Sequence, residues 1–268
     1  MPSRPRAARL LAGFAAVSVA ALAGAHDLSW YDASEGTLPT EQCWEYIVQD
    51  ADIEPTMDGD AAHLGPTTLT ARAYWRRSLT PFLADDGASV SVQASVISSS
   101  YIQNANLRRS GFSITMTDDA GRWARLGVSK NRLVLQTTQS IYGDKVLVRS
   151  IDEAMHDFRL QFFDGAVVAS MDGAAVLSAN AGFGGDHPNT VTVGDTTGWG
   201  HSETLTATIL IESVPLCSGP DLDCDGAVDG GDLATLLSTW GDAACRTDLD
   251  GDGVTGSGDL AILLAAWG

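Results

Sequence analysis

Apolar and polar residues alternate in short runs through most of the chain between about residues 85 and 213. The clearest runs are Ser89–Val96, Gly111–Thr117, Trp123–Val128, Arg132–Gln136, Asp157–Phe163, Ala166–Met171, Thr190–Val193 and Thr204–Ile211. A period of two is that of a strand with one face buried and one face polar. The outward positions carry Ser, Thr, Gln and Arg, as in Ser89–Val96 and Arg132–Gln136. Turn chemistry separates the runs at Asp118–Gly121, Asp164–Gly165 and Asp172–Gly173, where aspartate and glycine accept the left-handed backbone of tight hairpins. No strand–helix–strand alternation interrupts residues 26–216, so this stretch reads as one all-β unit. The period then changes. Leu233, Leu236, Leu237 and Trp240 fall at helical spacing, as do Leu260, Leu263, Leu264 and Trp267. Neither helix is long enough to hold alone in water, and the two apolar stripes are expected to pack on each other.

Each helix follows a copy of one acidic loop. The first runs Asp221–Asp232 and the second Asp248–Asp259, an offset of 27 residues from 221 to 248. Calcium takes six to eight oxygens, which a twelve-residue loop supplies from positions one, three, five, seven and twelve. In the first loop those are Asp221, Asp223, Asp225, the Ala227 carbonyl and Asp232; in the second, Asp248, Asp250, Asp252, the Val254 carbonyl and Asp259. Gly226 and Gly253 stand at position six, where the chain turns sharply. Two calcium ions are therefore expected, with metal binding and folding of the tail a single event.

This loop–helix duplication without an entering helix resembles the type I dockerin, over about Cys217 to Gly268. The variant whose repeats end in Trp-Gly looks like those of planctomycete-type secreted proteins. The resemblance implies a cohesin-like partner or attachment to a cell-surface assembly, gripped through positions ten and eleven of each loop. This chain has Gly230-Gly231 and Ser257-Gly258 there, in place of the usual Ser-Thr pair, and Ser238-Thr239 and Ala265-Ala266 where basic residues would stand. A self-contained cap or stalk remains the alternative.

The first 25 residues read as a secretory signal peptide: Arg4, Arg6 and Arg9, an apolar run from Leu10 to Leu22, then Ala23-Gly24-Ala25 as the cleavage site. The mature chain would begin at His26 as an exported bacterial protein, extracellular or at the cell surface, with no span able to cross a membrane. Three units are thus expected: residues 1–25, 26–216 and 217–268. Four cysteines in an exported chain fit disulfides. Four allow three pairings, of which Cys43–Cys217 with Cys224–Cys245 is favoured. The formal net charge is −18, which repels phosphate backbones and argues against nucleic acid as a partner.

In the middle region His156-Asp-Phe-Arg-Leu160, Asp164-Gly165 and Met171-Asp172-Gly173 occur in order, followed by Gly194-Asp195 and a last strand. That order resembles the concanavalin A-like jelly roll in its laminin G-like form, over about Asp85 to Ser213. The expected fold class is mainly β, a jelly-roll sandwich followed by a small α-helical dockerin-like unit. The paired glutamates of retaining glycosidases on this fold, the Gln-x-His of alginate lyases, the Gly-x-Ser-x-Gly turn and the His-Glu-x-x-His helix are all absent. A carbohydrate ligand is therefore expected at Trp75, Tyr101, Asn104, Asn106, Trp199 or His201, aromatic rings for the apolar sugar face and polar groups for its hydroxyls. Gly182–Asn189 through Gly194–Gly200 is the best stretch in which to seek a binding loop. The leading expectation is a secreted non-catalytic polysaccharide-binding or assembly protein. Its alternatives are a glycoside hydrolase of polysaccharide catabolism and a structural surface protein.

Overall fold

The computed structural model describes residues 27–268 apart from 50–52, 69, 80, 84–86, 100, 105–106, 139–143, 186, 197–200, 214–218, 224, 242–246, 251 and 253; at 27–30, 101–104 and 107–109 it describes the backbone alone. Two antiparallel sheets form a sandwich. The first runs in the order β15 (Ala174–Asn180), β14 (Ala166–Met171), β13 (His156–Phe163), β6 (Ala88–Ser99), β18 (Ser202–Ser213), β4 (Ala62–Leu64) and β3 (Thr56–Met57), and β1 (Asp27–Asp32) pairs with the second half of β18. The second runs β12 (Lys145–Val148), β11 (Arg132–Gln136), β10 (Arg122–Ser129), β9 (Phe112–Thr117), β17 (Thr190–Asp195), β5 (Arg72–Ser78) and β2 (Glu45–Gln49), with β16 (Gly182–Phe183) on β10. A separate hairpin joins β7 (Tyr101–Asn104) to β8 (Leu107–Ser110). β6 sits between β13 and β18, and β17 between β9 and β5, so most pairings join strands distant in sequence, as in a jelly roll. The mainly β sandwich matches the fold read from the sequence.

The alternation of the sequence becomes the two faces of each sheet. Val90, Val92, Ala94 and Val96 of β6 and Phe158, Leu160 and Phe162 of β13 point inward from the first sheet, all buried. Facing them are Ile114 and Met116 of β9, Leu126 of β10, Val193 of β17 and Trp75 of β5. The edge between Phe112 and Phe158, rings 6.5 Å apart at 61°, ties the layers together. Both Asp-Gly pairs form the expected turns. Asp164 and Gly165 have φ of 48° and 70°, and Asp172 and Gly173 have 51° and 76°, the double left-handed signature of a two-residue hairpin whose twist matches the strands.

The tail carries two short helices, α1 (Gly230–Ser238) and α2 (Ser257–Ala265). Their buried core is Leu222, Leu236 and Leu263, flanked by Val228, Leu233, Leu249 and Leu260, a cluster distinct from that of the sandwich. The stripe-on-stripe expectation holds for only part of each stripe. Leu237 and Leu264 are each 51% exposed and Trp240 and Trp267 each 45%, because both helices end before the tryptophans, which therefore lie past the packed face. Among the cysteines only Cys43 is described. It is disulfide-bonded, while Cys217, Cys224 and Cys245 lie outside the described residues, as do residues 1–25.

Candidate functional site

The polar face of the second sheet gathers side chains from four neighbouring strands. Strand register sets them in rows. Arg76, Thr192, Thr115 and Arg125 stand side by side across β5, β17, β9 and β10, followed by Gln136 on β11. The next row is Tyr74, Gly194, Ser113 and Gly127. Thr190, Thr117 and Trp123 make a third. Each of these residues alternates with a core residue, so packing of the inner face fixes the outer one. Two glycines in the middle row keep it low. A β-carbon on Gly194, whose φ is +132°, would stand 2.7 Å from Tyr74 Cα, and one on Gly127 would stand 3.1 Å from Ser110 Oγ.

The result is a depression of about 240 Å³. Its floor and walls are Arg72 and Tyr74 of β5, Thr190 and Thr192 of β17, Thr115 and Thr117 of β9, and Trp123 and Arg125 of β10; Gly185, His187 and Thr196 close the rim. The segment before β17 folds over because Gly184 and Gly185 both donate to the Gly121 carbonyl at 3.1 Å. Gly185 fits there only as glycine, since a β-carbon would lie 2.6 Å from Thr117 Cγ2. His187 has a left-handed φ of 59°, and its carbonyl accepts from the Thr190 hydroxyl at 2.6 Å.

Arg125 is held from two sides. Its Nε donates to Thr115 Oγ1 at 3.1 Å, and its guanidinium carbon lies 5.9 Å from the Trp123 ring centre, within the range of a cation over a π face. Trp123 itself is 4% exposed and donates Nε1 to the Phe183 carbonyl at 3.3 Å, so it props the arginine and offers no stacking face. Tyr74 and Arg72 are half-buried. Among the described lining residues Tyr74 offers an aromatic ring to a ligand. None of the eleven described lining residues is Asp or Glu. Two acids on the strands of this sheet are committed: Asp195 is fully buried and accepts from Thr67 Oγ1 at 2.6 Å, and Glu45 pairs with Arg76 at 2.7 Å. Such a surface can donate and accept hydrogen bonds, and among its described residues there is no carboxyl group to protonate a leaving oxygen. A second, more open hollow lies among Thr137, Lys145, Ser178 and Asn180, and none of its described lining residues is aromatic.

The tail presents a different constellation. One carboxylate oxygen from each of Asp221, Asp223 and Asp225 lies within 4.8 Å of the others, and Asp248, Asp250 and Asp252 repeat the arrangement. Gly226 has a φ of +91°, as position six requires. Asp221 Oδ1 is buried with no hydrogen-bond partner, a desolvated carboxylate oxygen in the same cluster as Asp223 and Asp225. Burial pushes Asp223 above the usual carboxylate range, and the charges of Asp225, Asp232 and Asp221 add to it. Asp232 stands apart. Its oxygens accept from the backbone N–H groups of Leu222, Asp223 and Asp229, the last two at 3.1 and 2.7 Å, and Asp259 does the same with Leu249, Asp250 and Gly256. Burial would raise both carboxyl groups, but these hydrogen bonds outweigh it and hold them below the ordinary range. Position eleven now has a physical reason. A β-carbon on Gly231 would stand 2.1 Å from Asp223 Oδ2, and one on Gly258 1.7 Å from Asp250 Oδ2. A side chain there would turn the position-three carboxylate away.

No family model matches the chain, and no curated protein matches it. Its likenesses are to solved structures. One is the carbohydrate esterase of the Shiga toxin-encoding bacteriophage phi24B, with a TM-score of 0.50 at 16% identity, covering 69% of this chain and 97% of that one. Others are the Crh5 transglycosylase without ligand, with a TM-score of 0.48 at 12% identity over 69% and 84% of the two chains, and a protein of unknown function from Shewanella oneidensis, with a TM-score of 0.48 at 11% identity over 74% and 91%. At such identities the likeness concerns the fold. The likeness to the esterase agrees with a β-sandwich.

The residues singled out from the sequence fare unequally. Trp75 is a correction: it is 0% exposed and packs 6.5 Å from the Tyr46 ring, so no ligand reaches it. The period of two puts Tyr74, its neighbour, on the outer face instead. Tyr101 and Asn104 lie on the β7–β8 hairpin, where only the backbone is described, and Asn106 and Trp199 lie outside the described residues. His201 immediately precedes β18, half-buried, with its carbonyl against Gly111. The glycine-rich stretch does reach the depression, through Gly185 and His187. Arg72, Thr115, Thr192 and Arg125 went unnamed, although their outward alternation marked them as surface.

Proposed function

We propose that this is an exported, non-catalytic carbohydrate-binding protein whose tail is a calcium-folded, dockerin-like module. The observation that carries the first part is the depression itself. Four adjacent strands present hydroxyls, guanidinium groups and one accessible aromatic ring on a rigid sheet. That is the mixture a pyranose needs, an apolar ring face beside a ring of hydroxyls. The jelly-roll likeness to a carbohydrate esterase supports the same class of ligand. A hydrolase reading has less support, since two carboxyl groups with divided roles are needed and the described lining residues offer none.

In the tail, Asp221, Asp223 and Asp225 with the Ala227 carbonyl, and Asp248, Asp250 and Asp252 with the Val254 carbonyl, would hold the two ions. Asp232 and Asp259 would complete each site while keeping the loop backbone tied. Calcium would supply the positive charge that lets three clustered carboxylates stay ionised. A cohesin-like protein or surface assembly is the partner this module would take, and a disulfide between Cys43 and Cys217 would brace the sandwich. Among the described residues no helix is long and apolar enough to cross a membrane.

The test is a glycan array probed with the mature chain in calcium, beside a Tyr74→Ala variant. Binding to a defined set of glycans that the variant loses supports the proposal. Absence of any binding, or binding indifferent to Tyr74, refutes it.

A further inference from the structure

The two acidic loops are unequal copies. The first, Asp221–Asp232, holds five aspartates, and the second, Asp248–Asp259, holds four. The difference falls at position nine, where the first loop has Asp229 and the second has Gly256. In loops of this length that position often serves a calcium ion through a bridging water. Asp229 is also the N-cap of α1, and its Oδ1 accepts from the Gly231 N–H at 2.8 Å. The same Gly231 lies against Asp223 Oδ2, and a β-carbon on it would stand 3.4 Å from Asp229 Oδ1. The carboxylates of positions three and nine therefore converge on one glycine. α2 begins after Gly256 with no side-chain cap, and the atoms nearest a β-carbon on Gly258 all belong to Asp250. Position one differs as well. Asp221 Oδ1 is buried with no hydrogen-bond partner, whereas Asp248 Oδ1 accepts from the Asp252 N–H at 3.0 Å. A cation entering the second loop competes with that N–H for its first oxygen.

We propose that the two calcium sites load in order, the first loop filling at lower calcium than the second, with Asp229 setting the difference. This rests on the reading that both loops bind calcium, and it adds the order. The affinity of such loops follows the number of charged ligands and the rigidity of the site, and Asp229 raises both. A carboxylate one water away from a divalent cation is worth on the order of tenfold in a solvated loop. Its cap also fixes the exit from the loop, where a glycine has more backbone freedom to lose. The loops brace each other in the same way. The Gly241 N–H after α1 donates to the Thr255 carbonyl of the second loop at 2.9 Å, and the Gly268 N–H after α2 donates to the Val228 carbonyl of the first at 3.3 Å. Both carbonyls stand at position eight, so emptying either loop removes the same kind of support from the other. At calcium levels between the two affinities the tail is half-loaded, with α1 anchored by its ion and α2 not.

Titration calorimetry of the chelator-stripped mature chain with calcium chloride tests the order. Asp250→Ala with Asp252→Ala leaves the first loop to bind, and Asp223→Ala with Asp225→Ala leaves the second. The first-loop protein should take one ion about tenfold more tightly than the second-loop protein. Asp229→Asn keeps the cap and removes the charge, so in the first-loop protein it should erase most of that advantage. Gly256→Asp should strengthen the second-loop protein. Equal affinities, a tighter second loop, or an Asp229→Asn protein that binds as before overturns the order and leaves calcium binding standing. Should a double variant fail to fold, Asp229→Asn in the otherwise intact chain decides instead. It should weaken the tighter of the two binding steps, and two unchanged steps refute the order. No calcium uptake and no calcium-induced helical circular dichroism in the parent chain overturns the calcium reading as well.

Discussion

Tyr74 and Trp75 are neighbours on β5 with opposite fates, and exchanging each for alanine tests the register of the whole site. Trp75 is fully buried, and its Nε1 has no hydrogen-bond partner, so its contribution is packing alone. Removing a buried tryptophan leaves a cavity that costs about 3–5 kcal/mol. For a domain of about 150–250 residues each kcal/mol moves the melting temperature by about 2–4 °C, which gives a fall of about 6–20 °C. Trp75→Phe refills much of the space and should recover more than half of that fall. Tyr74 faces the depression, and a half-exposed substitution of this kind stays within about 0.5 kcal/mol, a shift of no more than about 2 °C. Glycan binding should invert the order. Measured well below both midpoints, Trp75→Ala should bind within about twofold of the parent, and Tyr74→Ala should bind about tenfold or more weakly. Differential scanning calorimetry and isothermal titration supply the two readings. A Trp75→Ala protein that melts normally and does not bind would refute the reasoning, because it would mean a one-residue slip of β5 that turns every side chain to the other sheet face.

Other outcomes follow from the same structure. Alanine at both Asp225 and Asp252 should abolish calcium uptake by the tail, read by titration calorimetry, and the helical circular dichroism that calcium induces, while the sandwich melts unchanged; calcium-independent helix content would contradict this. Burial pushes Tyr46 up to about 12, with the nearby Glu54 charge adding to it, and its hydroxyl donates to the Ile53 carbonyl at 2.5 Å. A raised pKa means the stabilisation is whole below pH 10 and is lost as pH rises through about 12, so tyrosinate absorbance of Tyr46 should appear only there. Gly194→Ala should lower stability by about 1–3 kcal/mol through its left-handed backbone and the Tyr74 backbone beside it, read as a shift in the denaturant midpoint. The purified mature chain should release no reducing ends from neutral or acidic polysaccharides; turnover abolished by one Asp or Glu substitution in the sandwich would overturn the non-catalytic assignment.

The strands with strong alternation were legible, and β11 and β14 start and stop where the pattern says. β15 was not. Its sequence Ala-Ala-Val-Leu-Ser-Ala-Asn has almost no contrast between faces, and it holds its place by pairing with β14 across a register shift. The short strands β2 to β5 were also missed, because Glu45–Gln49 and Arg72–Ser78 carry polar or charged residues on one side and one or two apolar residues on the other. The acidic loops were legible because their ligands are contiguous. The depression was not, because it is assembled by register from strands up to about 120 residues apart, Arg72 to Thr192. Trp75 misled for a related reason: aromatic type suggested a sugar platform, while parity with the core residue Ala73 placed it inside. A parity count on β5 alone would have chosen Tyr74.

The account stands most directly on where a bound oligosaccharide touches the protein. Amide chemical-shift changes in a labelled mature chain, recorded in calcium on titration with an oligosaccharide that the glycan array selects, give that map. Changes confined to β5, β9, β10, β17 and the Gly184–Asn189 segment are expected. Changes centred on β6, β13 and β18, or in the tail helices, would contradict it.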